Sequence, residues 1–126
     1  MFTHVMIGSN DMARSRSFYD ALFATLGGKP STQDPRGRLV YVHNGGRFMI
    51  TAPIDGQPAT HANGGTIGFA AASPAEVDAW NKAGTENGGT SIEDPPGVRQ
   101  GAAGQLYLAY LRDPDGNKLC ALHRMG

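Results

Sequence analysis

A strand and helix pattern occurs twice along this chain, and this repeat constrains the fold more than any other feature. Phe18 in the first helical segment and Trp80 in the second lie 62 positions apart, and the helix-ending glycines Gly28 and Gly89 lie 61 apart. A repeat this long indicates a duplicated supersecondary unit rather than a solenoid. The spacing therefore favours two βαβββ modules, each with a helix on the back of a curved sheet, over an α+β sandwich with coincidental spacing.

The first module is predicted at about residues 1–52. Its helix should run from about Asp11 to Leu26, because Phe18, Leu22 and Leu26 recur every fourth residue. Ser9-Asn10-Asp11 supplies the N-cap and Gly27-Gly28 the stop. Strands are predicted at Phe2–Ile7, Leu39–His43 and Arg47–Thr51, with a further candidate at Lys29–Gln33.

A linker at about residues 53–65, rich in proline, glycine, asparagine and threonine, separates the first module from the second at about 66–126. The second helix should begin at Ser73-Pro74-Ala75-Glu76, a capping-box arrangement, and end near Gly88. Pro95 to Gly104 is interpreted as a loop that could cover a cavity mouth. Strands are predicted at Thr66–Ala72, Thr90–Ile92, Leu106–Leu111 and Lys118–His123.

Charge and cysteine usage narrow the classes of function. Eleven basic and eleven acidic residues give a net charge of zero, without the basic cluster that nucleic acid or an anionic membrane would require. No stretch approaches the roughly 20 apolar residues of a membrane span. Cys120 is the single cysteine, so no intramolecular disulfide can form, as is typical of a reducing compartment. We therefore expect a cytoplasmic protein that binds neither nucleic acid nor membranes.

Three segments resemble the vicinal oxygen chelate superfamily, which contains glyoxalases, bleomycin resistance proteins and extradiol dioxygenases. They are the opening Phe2-Thr3-His4-Val5, the helix from Arg16 to Leu22 with its Leu26-Gly27-Gly28 stop, and the ending from Tyr110 to Leu119. The Asp113-Pro114-Asp115-Gly116-Asn117 turn is the most specific of these, and the likeness extends over essentially the whole chain. It identifies a scaffold, which does not by itself fix a function.

The resemblance implies an α+β fold in which paired βαβββ modules form a cupped mixed sheet around a cavity, usually in a homodimer. Active members hold a divalent metal there, which binds two adjacent substrate oxygens and acts as a Lewis acid. Bleomycin-binding members sequester their ligand without a metal. Whether the cavity forms within one chain or across a dimer is left open at this stage.

The family's metal-ligand positions are mostly altered in this chain. His4 stands at the first position, whereas the usual histidine of the second module is replaced by Thr66 and the usual glutamate of the last strand by Cys120. The remaining position falls at Ile50 or Thr51. Because zinc sites need at least three protein ligands, we expect no cofactor, and a divalent metal only as the less favoured alternative.

Other side chains are candidates for lining the cavity. If Val5 and Ile7 pack against the helix, strand alternation predicts that His4 and Met6 face the cavity. The resemblance favours Tyr107 over Tyr110 as the tyrosine that faces the cavity. Arg99, in the loop from Pro95 to Gly104, could bind a ligand carboxylate or phosphate, although such a loop charge is more often solvated. The predicted ligand-contacting set is His4, Met6, Phe48, Ile50, Thr66, Arg99, Tyr107 and Cys120.

Two hypotheses of function follow. The first is a glyoxalase/bleomycin-resistance-like protein with a degenerate metal site that binds a small apolar or aromatic molecule. The second is a metal-dependent lyase or dioxygenase of the glyoxalase I type with altered ligands. In either case we expect a homodimer, since short modules leave sheet edges that invite pairing.

Overall fold

The computed structural model describes residues 1–126, in two copies of one βαβββ pattern. The first module consists of β1 (Val5–Gly8), α1 (Met12–Thr25), β2 (Thr32–Gln33), β3 (Leu39–His43) and β4 (Gly46–Thr51). The second consists of β5 (Ile67–Ala70), α2 (Pro74–Glu86), β6 (Thr90–Gly101), β7 (Gly104–Arg112) and β8 (Lys118–Arg124). The predicted pair of βαβββ modules and the α+β class are confirmed.

Each module folds into its own four-stranded mixed sheet. The first sheet has the order β1-β4-β3-β2 and the second the order β5-β8-β7-β6. In both, the opening strand pairs in parallel with the last strand of the module, and the remaining neighbours are antiparallel. The two sheets are not hydrogen-bonded to each other, so β1 and β5 each keep one unpaired edge.

Local sequence explains where both helices begin. Asp11 caps α1 by accepting a hydrogen bond from the backbone N–H of Arg14 at 3.0 Å. Ser73 caps α2 in the same way, accepting from the backbone N–H of Glu76 at 3.2 Å. The Glu76 carboxylate reaches back to the N–H of Ala72, one residue before the cap, at 2.9 Å. Each arrangement satisfies amide donors that the first helical turn leaves unpaired.

The two modules share one hydrophobic core. A cluster of 16 buried residues takes in the inner faces of both helices and the helix-facing side of both sheets. The helices pack against each other, and Gly84 of α2 permits close contact there, because a Cβ at that position would lie 3.3 Å from a methyl carbon of Leu22 in α1. The modules therefore form a single packed body rather than two units on a tether.

A buried carboxylate ties the modules together in addition to apolar packing. Asp113, in the turn between β7 and β8, accepts a hydrogen bond from the Tyr19 hydroxyl of α1 at 2.5 Å. The same carboxylate accepts from the backbone N–H groups of Asp115 and Asn117 and from the Asn117 side-chain amide. Burial, and then the negative charge of Asp113, raise the pKa of the Tyr19 phenol well above its ordinary value. Tyr19 therefore remains a neutral donor to this carboxylate.

The strands β1, β2 and β5 begin later than predicted, at Val5, Thr32 and Ile67, and the largest difference lies in β6. Pro95 to Gly104 is not a loop, because β6 continues through it to Gly101 and pairs with β7. The pairing register shifts between Ile92 and Gly97, which makes a β-bulge containing Pro95 and Pro96. Proline cannot donate to a strand ladder, so a bulge in an edge strand is a position that tolerates it.

Neither helix is long and apolar enough to cross a membrane.

Gly89 provides a test of the packing between the modules. A Cβ at this position would lie 2.5 Å from the Phe18 ring and 2.9 and 3.0 Å from the backbone oxygens of Gly84 and Arg112. We predict that Gly89→Ala destabilises the protein by about 1–3 kcal/mol through overpacking. Gly68→Ala, with no atom within 4 Å of its Cβ, is the matched control. Urea denaturation of both variants decides the matter, and equal midpoints would contradict this packing.

Candidate functional site

Each sheet has one side covered by helices and another that faces away from them, which we call the free face. In β1, Val5 and Ile7 pack against the core cluster, as predicted, so Met6 points to the free face. In β4 the core residues are Phe48 and Ile50, which leaves Arg47 and Met49 on the free face. Strand alternation thus assigns every side chain of the sheets to one of the two sides.

Apolar side chains form a row across the free face of the first sheet. Met6 lies opposite Met49, which lies opposite Val40 on the next strand. Met49 and Val40 are buried, whereas Met6 is 36% exposed and Val42, further along β3, is 61% exposed. Side chains at such cross-strand positions contact one another. The centre of this face is therefore an apolar floor with an exposed margin.

The free face of the second sheet is apolar at its centre and polar towards β6. Cys120 lies opposite Gly68 on one side and opposite Tyr110 on the other, and Tyr110 lies opposite Ile92. Leu108 pairs with Leu122 in the adjacent row. Leu108 and Cys120 are buried although no helix covers this side. This burial indicates a curved sheet that shields the middle of its own free face.

A polar group lies beside this apolar centre. The Lys118 ammonium is 2.6 Å from the Glu93 carboxylate and 4.8 Å from the centre of the Tyr110 ring. Glu93 belongs to the bulge of β6 and has a φ of 59°, in the left-handed region that non-glycine residues seldom adopt. The bulge thus aims a carboxylate at the free face, which is a common consequence of bulges near functional sites.

Burial determines the ionisation of two side chains near this ion pair, those of Cys120 and Tyr110. Burial raises the pKa of the Cys120 thiol, and hydrogen bonding with Tyr110 partly offsets the shift. Burial, followed by the neighbouring Cys120 and Glu93, raises the pKa of the Tyr110 phenol. Both groups are therefore protonated at neutral pH and can act as neutral hydrogen-bonding groups at the polar end of this face.

Four of the predicted site residues lie on the free faces or immediately before a strand. Met6 and Cys120 lie on the free faces. His4 precedes β1 and is exposed, with its Nδ1 2.9 Å from the Thr3 hydroxyl. Thr66 is exposed and immediately precedes β5. Whether any of these residues contacts a ligand remains a prediction.

Phe48 and Ile50 were expected to face the cavity of the cupped sheet, but neither lies on a free face. Both are buried among the residues that pack under the helices. Phe48 instead borders an aromatic pocket of about 260 Å³ between the modules, together with Phe23, Tyr41 and Phe69. The exposed polar Arg47 at the start of β4 would have indicated the correct register, since Met49 shares its side of the strand.

The preference for Tyr107 over Tyr110 is also wrong. Tyr107 packs against the core on the helix side, and its hydroxyl donates to Asp78 of α2 at 2.8 Å. That bond is the first cause, ahead of burial, of the raised pKa of Tyr107. Tyr110 is the tyrosine on the free face.

Arg99 does not lie in a loop over a cavity. Its guanidinium donates to the backbone oxygens of Asp94 and Pro95 at 3.2 and 2.9 Å, and so closes the bulge of β6. Sequence reasoning did not find Glu93 and Lys118, because nothing in the sequence shows that the bulge brings a carboxylate to the lysine.

His43 lines the aromatic pocket between the modules. Its Nε2 is buried and has no hydrogen-bond partner. The Phe23 ring lies edge-on to it, with ring centroids 6.3 Å apart. The imidazole ring therefore forms part of the aromatic lining of this pocket.

The donor set at the family's metal positions does not fit a divalent metal. Ile50 has no donor atom and faces the core, Thr66 offers a neutral hydroxyl, and Cys120 is a buried thiol with a raised pKa. No three histidine, cysteine, aspartate or glutamate side chains come close enough together in this chain to hold a metal ion. A zinc site needs at least three such ligands.

Comparisons of sequence and of structure with known proteins point to the same group of proteins. The sequence profile of the Glyoxalase/Bleomycin resistance protein/Dioxygenase superfamily matches residues 1–121. A glyoxalase/bleomycin resistance protein from Albidiferax ferrireducens T118 is 60% identical, with a TM-score of 0.94, over 98% of this chain and 99% of that chain. No sequence among curated proteins matches the chain.

More distant structures share the fold alone. Protein SA1046 from S. aureus is 22% identical with a TM-score of 0.76, over 98% of this chain and 93% of that chain. A glyoxalase/bleomycin resistance protein/dioxygenase family enzyme from Burkholderia phytofirmans PsJN is 16% identical with a TM-score of 0.73, over 98% of both chains.

Proposed function

The chain belongs to the Glyoxalase/Bleomycin resistance protein/Dioxygenase superfamily, and on that premise we propose that it binds a small apolar or aromatic molecule on its free faces without a metal. The apolar floor of these faces carries the proposal. Met6, Met49 and Val40 form one part of it and Leu108, Leu122 and Tyr110 the other. Ligand sites are mostly apolar, with a few polar groups that set orientation, and these faces have that composition.

We further propose that the binding site is completed by a second copy of the chain. Apart from β2 and β6 at the far sides of the sheets, the strands with an unpaired edge are β1, with the sequence Val-Met-Ile-Gly, and β5, with Ile-Gly-Phe-Ala. Neither contains a charged residue or a proline, the features that usually protect an exposed edge. A symmetric pair that joins β1 of one copy to β5 of its partner would satisfy these edges and enclose the free faces. The buried, unpaired Cys120 is compatible with a reducing, cytoplasmic location.

The alternative, a metal-dependent lyase or dioxygenase, requires ligands that this chain does not bring together. We therefore expect metal analysis of protein purified without added metal to find less than about one-tenth of an ion per chain, since fewer than three ligands bind a divalent ion weakly. Stoichiometric zinc, nickel, manganese or iron would overturn the metal-free proposal.

Binding to the free face can be tested with N-phenyl-1-naphthylamine, a neutral aromatic whose fluorescence rises in an apolar site. We expect the parent protein to bind this probe saturably. Met6→Gln should weaken binding by about fivefold or more, because about 1 kcal/mol of apolar contact is lost. Ile54→Gln is the matched control, since Ile54 is a fully exposed apolar residue of the linker. Equal affinities for both variants would place the probe elsewhere.

The dimer can be tested by light scattering at micromolar concentration. We expect a mass of twice the 13.3 kDa of one chain. Phe69→Ala should leave the dimer formed, because Phe69 packs towards the core, whereas Gly68→Pro should dissociate it by removing a backbone donor from β5. The thermal midpoint of each variant shows whether it is folded. A monomer mass for the parent would contradict the proposal.

A further inference from the structure

Charge is unevenly distributed between the two sides of the sheets, although the chain as a whole is neutral. Eight of the 11 acidic side chains have hydrogen-bond partners in caps, turns, the linker or contacts on the helix side. Glu86 lies in the last turn of α2, and Asp94 follows Glu93 in the bulge. Glu93 is the one carboxylate that forms an ion pair with a residue of a free face.

Basic residues, in contrast, are common on the free faces. Arg47 lies opposite Val42 on the first sheet. On the second sheet, Arg112 lies opposite Lys118, and Arg124 lies opposite Leu106, all with the same strand parity as Cys120. The positions of the free faces therefore carry four cations against one carboxylate. Complementary charge selects partners, so this excess bears on what these faces bind.

Lys118 is the cation closest to the apolar centre. Its side chain is 27% exposed, and it lies between the Glu93 carboxylate and the Tyr110 ring. Glu93, at 47% exposed, is the more accessible member of the pair. Glu93 is also held in a left-handed backbone conformation that costs energy, and such strain concentrates at functional sites.

We propose that the ligand of the free faces is an organic anion, an aromatic or apolar molecule with a carboxylate, sulfonate or phosphate group, and that Lys118 binds this group when Glu93 moves aside. This inference rests on the proposed function and specifies its ligand class. The apolar part of the ligand would lie along Tyr110, Leu108 and Leu122, and the anionic group would take the place of the Glu93 carboxylate.

An organic cation fits the same site less well. It would have to compete with Lys118 for the single carboxylate, beside Arg112, which lies opposite Lys118 and donates to the backbone oxygen of Gly116. An anionic ligand would be attracted by the excess of cations on the free faces. It would also replace the Glu93 carboxylate, so the Lys118 ammonium would remain paired with a negative charge. The displaced carboxylate is already half in water, so it regains hydration at small cost.

The test compares two probes with the same ring system. N-phenyl-1-naphthylamine is neutral, and 8-anilinonaphthalene-1-sulfonate adds one sulfonate. We expect the parent to bind the sulfonate more tightly than the neutral probe. Lys118→Met should weaken sulfonate binding by about fivefold, and Glu93→Gln should strengthen it by about as much, which corresponds to an ion pair near a protein surface. Both changes should leave neutral-probe affinity within about twofold.

Matched controls remove one charge far from this site. Lys29→Met and Glu86→Gln alter exposed residues after α1 and at the end of α2, and neither should change the affinity for either probe. Far-UV circular dichroism and the thermal midpoint show that each variant is folded. For the parent alone, raising the salt concentration from about 0.02 to about 0.5 M should weaken sulfonate binding and spare the neutral probe.

The outcomes separate the two proposals. If neither probe binds the parent, the proposed function fails and this inference fails with it. If the neutral probe binds and Met6→Gln weakens it, but the sulfonate binds no better or does not respond to salt, only the anion inference is overturned. Tighter sulfonate binding by Lys118→Met, or weaker binding by Glu93→Gln, would also overturn it.

Discussion

The arrangement of this molecule depends on one buried carboxylate, that of Asp113. It lies in the last turn of the second module but accepts a hydrogen bond from Tyr19 of the first. Its remaining lone pairs are used by the turn itself, through Asp115 and Asn117. A buried charge without these donors would be costly, so the turn and the helix must come together for either to be stable. Asp115 adds an outer contact, accepting from Arg14 of α1 at 2.9 Å. The contact between the modules is thus specified by polar geometry as well as by apolar area.

The sequence predicts the scaffold well because its signals are local. The caps at Asp11 and Ser73 and the glycine stops are written in a few adjacent residues. It is harder to predict which side chains of a strand face the core, since a shift of one residue reverses every assignment. Phe48 and Ile50 were assigned to the wrong side of β4 because large apolar residues suit both a core and a ligand site. The bulge of β6 could not be predicted, because pairing across two strands decides it.

The two sides of each sheet have separate roles in this fold. The helix side contains the shared core, the aromatic contacts around Phe23 and most of the hydrogen-bonded carboxylates. No helix packs against the free side, so its side chains are less constrained by packing. Side chains on this side can therefore be exchanged with little effect on the backbone. Cys120 and Tyr110, which lie opposite each other on the second sheet, belong to this side.

The bulge in β6 also restricts how copies of this chain can aggregate. Each sheet has two outer strands, and an open edge on both sides would let molecules add end to end without limit. In β6, Pro95 and Pro96 remove two amide donors and the register shift interrupts the ladder. In the other sheet, β2 is only two residues long and offers almost no template. Growth into a fibre through the β2 and β6 edges is therefore blocked, and the β1 and β5 edges are the ones left open to strand addition.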